Sequence, residues 1–265
     1  MFLTGGMRMN GVNKTLYIPL YGKALVSQKG IILQDPKAEE IWQAEGFQLK
    51  GKPKSKWLAY YMGMRAAVFD QWLCQKVEEY PDSVIVHLGC GMDSRCQRIG
   101  KFVKNWFDID FPEVIAERRR YYSETEHYKM LSCDLRDQTW LSQIPKDRTV
   151  LILAEGVTMY LTLPELEQFS VTVCEAFPDC HILMDFYTIF AARVSKYKNP
   201  INAVGVTQVS GLDDPSVLSI RLVKEHDMTP ENLINQLSRM EAKIFRSLYA
   251  GKFSKRLYKL YEFTT

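Results

Sequence analysis

No two of the six cysteines (Cys74, Cys90, Cys96, Cys133, Cys174, Cys180) stand at a metal-binding spacing such as C-x-x-C. They scatter over predicted strands and helices, as unpaired core thiols do. No apolar run approaches the ~20 residues of a membrane span, and Met1-Phe-Leu-Thr-Gly-Gly-Met-Arg-Met9 lacks the apolar centre of a secretory leader. Internal repeats, low-complexity linkers and a Gly-x-x-x-x-Gly-Lys loop for cradling phosphates are all missing. The charge surplus is only +3, which gives no ground for nucleic-acid or membrane binding. These absences lead to the expectation of a cytoplasmic, reduced and soluble protein. At 46% hydrophobic and 25% charged residues, the 265-residue chain has the composition to bury a full core.

The first 80 residues read as helical, with helical apolar spacing in Ala38–Phe47 and Trp57–Val77. Gly51-Lys-Pro-Lys-Ser55 breaks between these runs, and Pro81-Asp82 stops the second. From residue 83 the pattern alternates. Strands are predicted over Val84–Leu88, Phe102–Ile109, Tyr128–Cys133, Val150–Ala154 and His181–Asp185, with helices at Pro112–Tyr122 and from Thr162. Such alternation implies a parallel sheet covered by helices on both faces. After an irregular stretch come a strand near Ile220–Glu225, a long helix from Pro230 to Leu248, and a last strand near Arg256–Phe263. The expected outcome is an α/β seven-stranded mixed sheet closed by an antiparallel last strand at its edge. A helical N-terminal lid (1–80) precedes the core (81–265), which carries a substrate-region insertion near 187–218.

Val84-Ile-Val-His-Leu-Gly-Cys-Gly-Met-Asp-Ser-Arg95 is the most informative stretch: an apolar strand runs directly into Gly89-x-Gly91. Glycines there let a ligand approach the backbone. Trp106-Phe-Asp-Ile-Asp110 ends a second strand with a carboxylate suited to a ribose diol, Asp134 follows the third strand and Glu155 the fourth. In a doubly wound sheet these strand ends meet where the strand order reverses. Asp108 shares a strand face with Asp110, so either could hold the ribose; Asp110 is favoured as the last residue. Three converging carboxylates suit a cofactor with a sulfonium, an ammonium and an adenine amino group, and repel phosphates. S-Adenosylmethionine therefore fits better than NAD.

His87-Leu-Gly-Cys-Gly-Met-Asp-Ser-Arg95, Phe107-Asp-Ile-Asp-Phe-Pro-Glu-Val-Ile115 and Ala154-Glu-Gly-Val-Thr-Met-Tyr-Leu161 together resemble the leucine carboxyl methyltransferase family. Leu16-Tyr-Ile-Pro-Leu-Tyr-Gly-Lys-Ala24, Asp35-Pro-Lys-Ala38 and Gly211-Leu-Asp-Asp-Pro215 resemble its branch of polyketide-type O-methyltransferases. The resemblance implies a class I methyltransferase (Rossmann-like) fold using S-adenosyl-L-methionine on a small-molecule hydroxyl or carboxylate. It also implies roles. Gly89 would lie under the methionine part of the cofactor, Asp110 would hold the ribose, and Asp134 with Leu135 would read the adenine. Glu155 would meet the ammonium, Arg65 the cofactor carboxylate, and Lys23 would be a second basic residue from the lid. Ser94 stands where many members have threonine.

Other residues read more plainly. His87 is expected to be a packed core histidine, Arg118-Arg119-Arg120 a solvated helix face, and Trp57, Tyr60 and Tyr61 lid packing. Tyr160 lies near the cofactor in this reading but is a poor base, and no metal is implied. The acceptor is expected between the lid and segment 187–218. Three alternatives stand beside this one: an NAD-dependent oxidoreductase, a carboxyl methyltransferase acting on a protein C-terminus, and a non-catalytic module that keeps the fold.

Overall fold

Val84–Leu88 (β1) and Val150–Ala154 (β4) are buried at every position, as strands covered on both faces must be. The computed structural model of the chain describes residues 13–46, 49, 51–99, 104–198 and 208–265. Within these residues β1 and β4 lie at the centre of one seven-stranded sheet in the order β3-β2-β1-β4-β5-β7-β6. The other strands are Asn105–Asp110 (β2), Tyr128–Ser132 (β3), Cys180–Tyr187 (β5), Arg221–His226 (β6) and Tyr258–Thr264 (β7). Strands β1 to β5 run parallel, and β7 is antiparallel to both its neighbours. The order reverses between β1 and β4. Leu88 pairs with Ile109 on one side and Ala154 on the other, so Gly89, Asp110 and Glu155 leave the sheet at one edge of the crevice.

The last strand does not take the sheet edge, contrary to expectation; β6 does. The residues explain it. Arg221-Leu-Val-Lys-Glu-His226 is exposed along nearly its whole length, and charged side chains guard an edge against pairing with other chains. Tyr258-Lys-Leu-Tyr-Glu-Phe-Thr264 is almost wholly buried and needs a neighbour on each side. The long helix predicted over 230–248 is two helices, Glu231–Ile234 (α8) and Arg239–Tyr249 (α9). Ser238 restarts the helix by accepting from the Glu241 amide while its hydroxyl donates to the Glu241 carboxylate. The start predicted for β2 at Phe102 lies outside the described residues.

At the N-terminus the described helices are Tyr17–Gln28 (α1), Pro36–Glu45 (α2) and Lys56–Glu79 (α3). Asp35 caps α2 by accepting from the Ala38 amide at 2.9 Å. Helix α1 crosses α3 closely: a Cβ on Gly22 would stand 2.6 Å from Met62 Cβ. Phe69, Trp72 and Leu73 of α3 share a cluster with Ile85, Leu151 and Leu183 of the sheet, so α3 packs as part of the core layer. Short helices Arg95–Arg98 (α4) and Pro112–Arg118 (α5) follow β1 and β2, and Leu163–Ala176 (α6) and Ile189–Lys198 (α7) follow β4 and β5. None of the described helices is long and apolar enough to cross a membrane.

Arg118 overturns the reading of residues 118–120 as a solvated face. Arg119 and Arg120 are exposed, but Arg118 is fully buried. Its guanidinium pairs with Asp108 and donates to Gly91 O and Tyr128 Oη, each at 3.0 Å. Asp108 also accepts from Trp106 Nε1 (2.7 Å) and the Tyr128 hydroxyl (2.6 Å). That carboxylate is consumed by the core, which leaves Asp110 as the acidic residue of β2 at the crevice. His87, as expected, is buried, with Nδ1 3.3 Å from Asp108. Removing one partner of a buried ion pair strands the other charge, at a cost of about 3–5 kcal/mol. Arg118→Met is therefore expected to lower unfolding stability by about that amount in urea titrations. A loss below about 1 kcal/mol, the size of a solvated pair, would contradict the buried pairing.

Candidate active site

Gly89 and Gly91 both adopt left-handed backbone angles, with φ of 61° and 50°. A Cβ on Gly89 would come within 2.2 Å of Val157 Cγ2, so the loop after β1 lies directly against the loop after β4. Asp110 then ties the crevice together. One of its carboxylate oxygens accepts from the Gly91 amide and the other from the Phe111 amide, both at 2.8 Å. Burial pushes its carboxyl up to about 6, against these hydrogen bonds. Each oxygen retains a lone pair for a further donor.

Asp134 sits at the rim, where Arg136 grips it through its guanidinium at 2.5 Å and its backbone amide at 3.0 Å. The Arg136 contact holds the Asp134 carboxyl below its usual range. Leu135 beside it lines the cavity wall.

Glu155 lies at the centre of a buried ionic network. Its two oxygens meet Arg65 Nε at 3.1 Å and Arg95 Nη2 at 2.6 Å. Burial alone would raise the Glu155 carboxyl; Arg65 and Arg95 outweigh it and hold the group down to about 2. Arg65 continues to Asp185 at 3.2 Å and Tyr258 Oη at 3.0 Å. Arg95 continues to Asp70 (2.5 Å) and Asp93 (3.0 Å). Lys23, from α1, reaches Asp93 at 3.1 Å, and Arg98 joins Asp93 to Asp70 and Asp35.

The network's charge count is informative. Four cations (Lys23, Arg65, Arg95, Arg98) face five carboxylates (Asp35, Asp70, Asp93, Glu155, Asp185). A buried excess of one negative charge is costly unless something compensates it. Burial raises the Asp185 carboxyl, so a proton there is one way to close the deficit. A cationic ligand beside Glu155 is the other. The residues thus fit a ligand bearing an ammonium and a sulfonium.

A cavity of about 980 Å³ runs through this crevice, and all seven residues singled out from the sequence (Lys23, Arg65, Gly89, Asp110, Asp134, Leu135, Glu155) line it. Three of them are already held by protein partners within the ionic network. Arg65 and Glu155, expected to hold opposite ends of the cofactor separately, bind one another, and Lys23 is joined to Asp93. Sequence reasoning missed Arg95, which is fully buried and shares Glu155 with Arg65. Its signal was its place in the Gly89–Arg95 motif. Asp185 was also missed; it lies within β5, next to β4, and accepts from the Gly156 amide at 2.7 Å.

Away from the strand ends the cavity wall becomes apolar and aromatic, with Leu58, Tyr61, Met159, Tyr187, Tyr249 and Leu257 among its residues. Tyr61 lies 5.5 Å from Tyr249 and 6.5 Å from Tyr258 between ring centroids, and Tyr187 lies 4.7 Å from Tyr258. Of the three lid aromatics, Tyr60 is packing, fully buried with its hydroxyl on Glu241, whereas Tyr61 faces the cavity. Tyr160 also lines the cavity; its hydroxyl donates to Thr15 and burial pushes its pKa up to about 12.

Residues 12–171 match the family model described as leucine carboxyl methyltransferase. The tetracenomycin polyketide synthesis O-methyltransferase TcmP of Streptomyces glaucescens is 30% identical over 218 residues, 82% of this chain and 81% of that protein. The S-adenosyl-L-methionine-dependent methyltransferase dpfgK of Gibberella zeae is 27% identical over 240 residues, covering 81% of this chain and 80% of its own. Among solved structures, magnesium protoporphyrin IX methyltransferase from Synechocystis PCC 6803 with bound SAH shares the fold. It is 11% identical, with a TM-score of 0.52 over 95% of this chain and 99% of that one. The strand order, the glycine-lined crevice and these matches agree: the chain has the class I methyltransferase fold, belongs to the leucine carboxyl methyltransferase family, and is an S-adenosylmethionine-dependent methyltransferase.

Proposed function

We propose that the chain methylates an oxygen of a planar, largely apolar small molecule, polyketide-like in character, and that the acceptor oxygen is a carboxylate or an acidic phenol. The carrying observation is the composition of the cavity. Its described titratable acids and its histidine (His87, Asp93, Asp110, Asp134, Glu155) all sit at the strand ends, while the far wall offers tyrosines, aliphatic side chains and small hydroxyls. A phenol held near pKa 12, as at Tyr160, is a poor proton acceptor at neutral pH. An acceptor that arrives ionised needs no base. Tyrosine rings gathered along the wall favour a flat ring system. The relative TcmP, named for polyketide synthesis, supports the same class.

S-Adenosylmethionine, when bound, supplies the activated methyl on a good leaving group. The chain's own contribution is placement and the exclusion of water. In this reading Asp110 holds the ribose hydroxyls, Asp134 and Leu135 the adenine, and Gly89 the methionine part. Glu155 holds the ammonium, and Arg65 with Lys23 faces the cofactor carboxylate. The helical lid over 1–80 and the core from 81 belong to this reading too, with α3 shared between them. The six free cysteines support a reducing, cytoplasmic setting.

Three outcomes test this. Glu155→Gln removes the charge but keeps the shape. It is expected to weaken S-adenosylmethionine binding by about 30-fold or more in calorimetric titration, the effect of losing a buried charged contact. Unchanged affinity would remove Glu155 from the site.

Cofactor affinity should also fall as pH drops through about 6, because Asp110 must be ionised to accept from a diol. Its folded pKa lies above the ordinary 3.8. The cost of holding this buried carboxylate is therefore complete above pH 6 and relieved as pH falls towards 4. Folding stability from this group rises in the window where affinity is lost. Asp110→Asn should flatten both trends between about pH 4 and 6.5; a pH profile that survives the substitution assigns the titration elsewhere.

With labelled cofactor and a panel of aromatic acids and phenols, transfer to carboxylates should give a base-labile ester and transfer to phenols a base-stable ether. Transfer only to neutral alcohols would contradict the absence of a base from the proposal.

A further inference from the structure

The exposed apolar side chains are not spread evenly. Of the twelve large ones among the described residues, seven fall in 189–195 and 239–256: Ile189, Phe190, Val194, Met240, Ile244, Leu248 and Phe253. Met240, Ile244 and Leu248 recur every four residues along α9, opposite the buried Ala242 and Phe245. Phe253 is 67% exposed and sets its ring edge-on to Phe190 of α7, 6.4 Å away, so two distant segments join in one patch. Val194 and Leu248 are both exposed and line the cavity, which places the patch at its mouth.

Charge is segregated in the same place. Residues 189–195 and 239–256 hold seven cations and one carboxylate, Glu241, although the whole chain carries a surplus of only +3. Arg246 and Lys255 are paired with Glu231 and Asp227. Arg193, Arg239, Lys243, Lys252 and Arg256 are exposed. Lys252 precedes Phe253, Arg256 follows it three residues on, and Lys243 precedes Ile244.

We propose that this face, formed by α7, α9 and the turn leading into β7, docks on an anionic lipid bilayer with the cavity mouth towards the membrane. Exposed phenylalanines and aliphatic side chains enter the headgroup boundary while neighbouring lysines and arginines meet anionic headgroups. A second copy of the chain is a poor occupant, because two faces of the same positive sign repel. The location also suits an apolar acceptor, which partitions into the bilayer. The docking surface itself stands on exposure and charge, and holds whatever the acceptor is. The small net charge conceals it because acidic residues elsewhere in the chain offset the patch.

Sedimentation with vesicles tests it: phosphatidylcholine alone against phosphatidylcholine with about a third phosphatidylglycerol, at low and high salt. The expected result is at least about tenfold more protein bound to the anionic vesicles, reversed by high salt. Phe190→Ser with Phe253→Ser, and separately Lys252→Glu with Arg256→Glu, should each lower binding at least about fivefold. Their unfolding midpoints and cofactor affinity should stay at the parent values, since none of these residues belongs to the core or the cofactor site. No binding to either vesicle would overturn the proposal, as would binding indifferent to both double substitutions. Light scattering that shows a dimer dispersed by the phenylalanine substitutions would reassign the patch to self-association. Failure of vesicle binding beside intact cofactor binding would leave the methyltransferase reading standing.

Discussion

The bidentate hold of Arg65 and Arg95 on Glu155 is the interaction on which the rest of the crevice depends. The carboxylate and both guanidiniums are buried, so none can be left without its partners except at a cost of several kcal/mol. Arginine suits the position because its planar fork reaches several carboxylates at once. Arg65 brings in Asp185 from β5, and Arg95 brings in Asp70 from α3 and Asp93 from the glycine loop. Through Asp93 the network reaches Lys23 of α1, and through Arg98 it reaches Asp35 at the start of α2. The N-terminal helices are therefore joined to the strand ends by buried charge as well as by apolar packing. The network is short of one positive charge, a deficit that a proton on buried Asp185 or a bound cation would close.

The second constraint is backbone proximity. The β1 and β4 loops touch at Gly89, where even a methyl group would collide with Val157. This closeness follows from the reversal of strand order between β1 and β4, which places two sequence-distant loops side by side. From that floor the cavity changes character. Carboxylates gather at the strand ends, and the opposite wall is built of rings and aliphatic side chains from α3, β5, α9 and the start of β7. With the ionised acceptor proposed above, such a site works by alignment and leaves little for a proton-transfer residue to do. The same apolar wall continues past Val194 and Leu248 to the outer surface, where it meets the basic rim.

Much of this was legible from the chain before any coordinates. β1 and β4 are short apolar runs followed by Gly89 and Glu155, and the residue after a buried strand in an alternating α/β pattern must emerge at the ligand edge. Asp110 was legible for the same reason, and it took the burial of Arg118 to separate it from Asp108. Local pattern also placed the opening of α6 at Thr162, because a helix start is set by residues within one helical turn. What sequence periodicity could not decide was partnership across long separations. Arg95 and Glu155 are 60 residues apart, and Arg65 and Asp185 are 120 apart.

The sequence by itself determined the strand–helix alternation, the glycine loop and the acidic strand ends, because each is written within a few neighbouring residues. Tertiary structure alone decided which charges pair, that Arg118 is buried, that β6 and not β7 forms the edge, and that α7 meets the turn after α9. Those outcomes depend on which distant segments exclude water from one another, and burial is a property of the packed chain that no local run of residues contains.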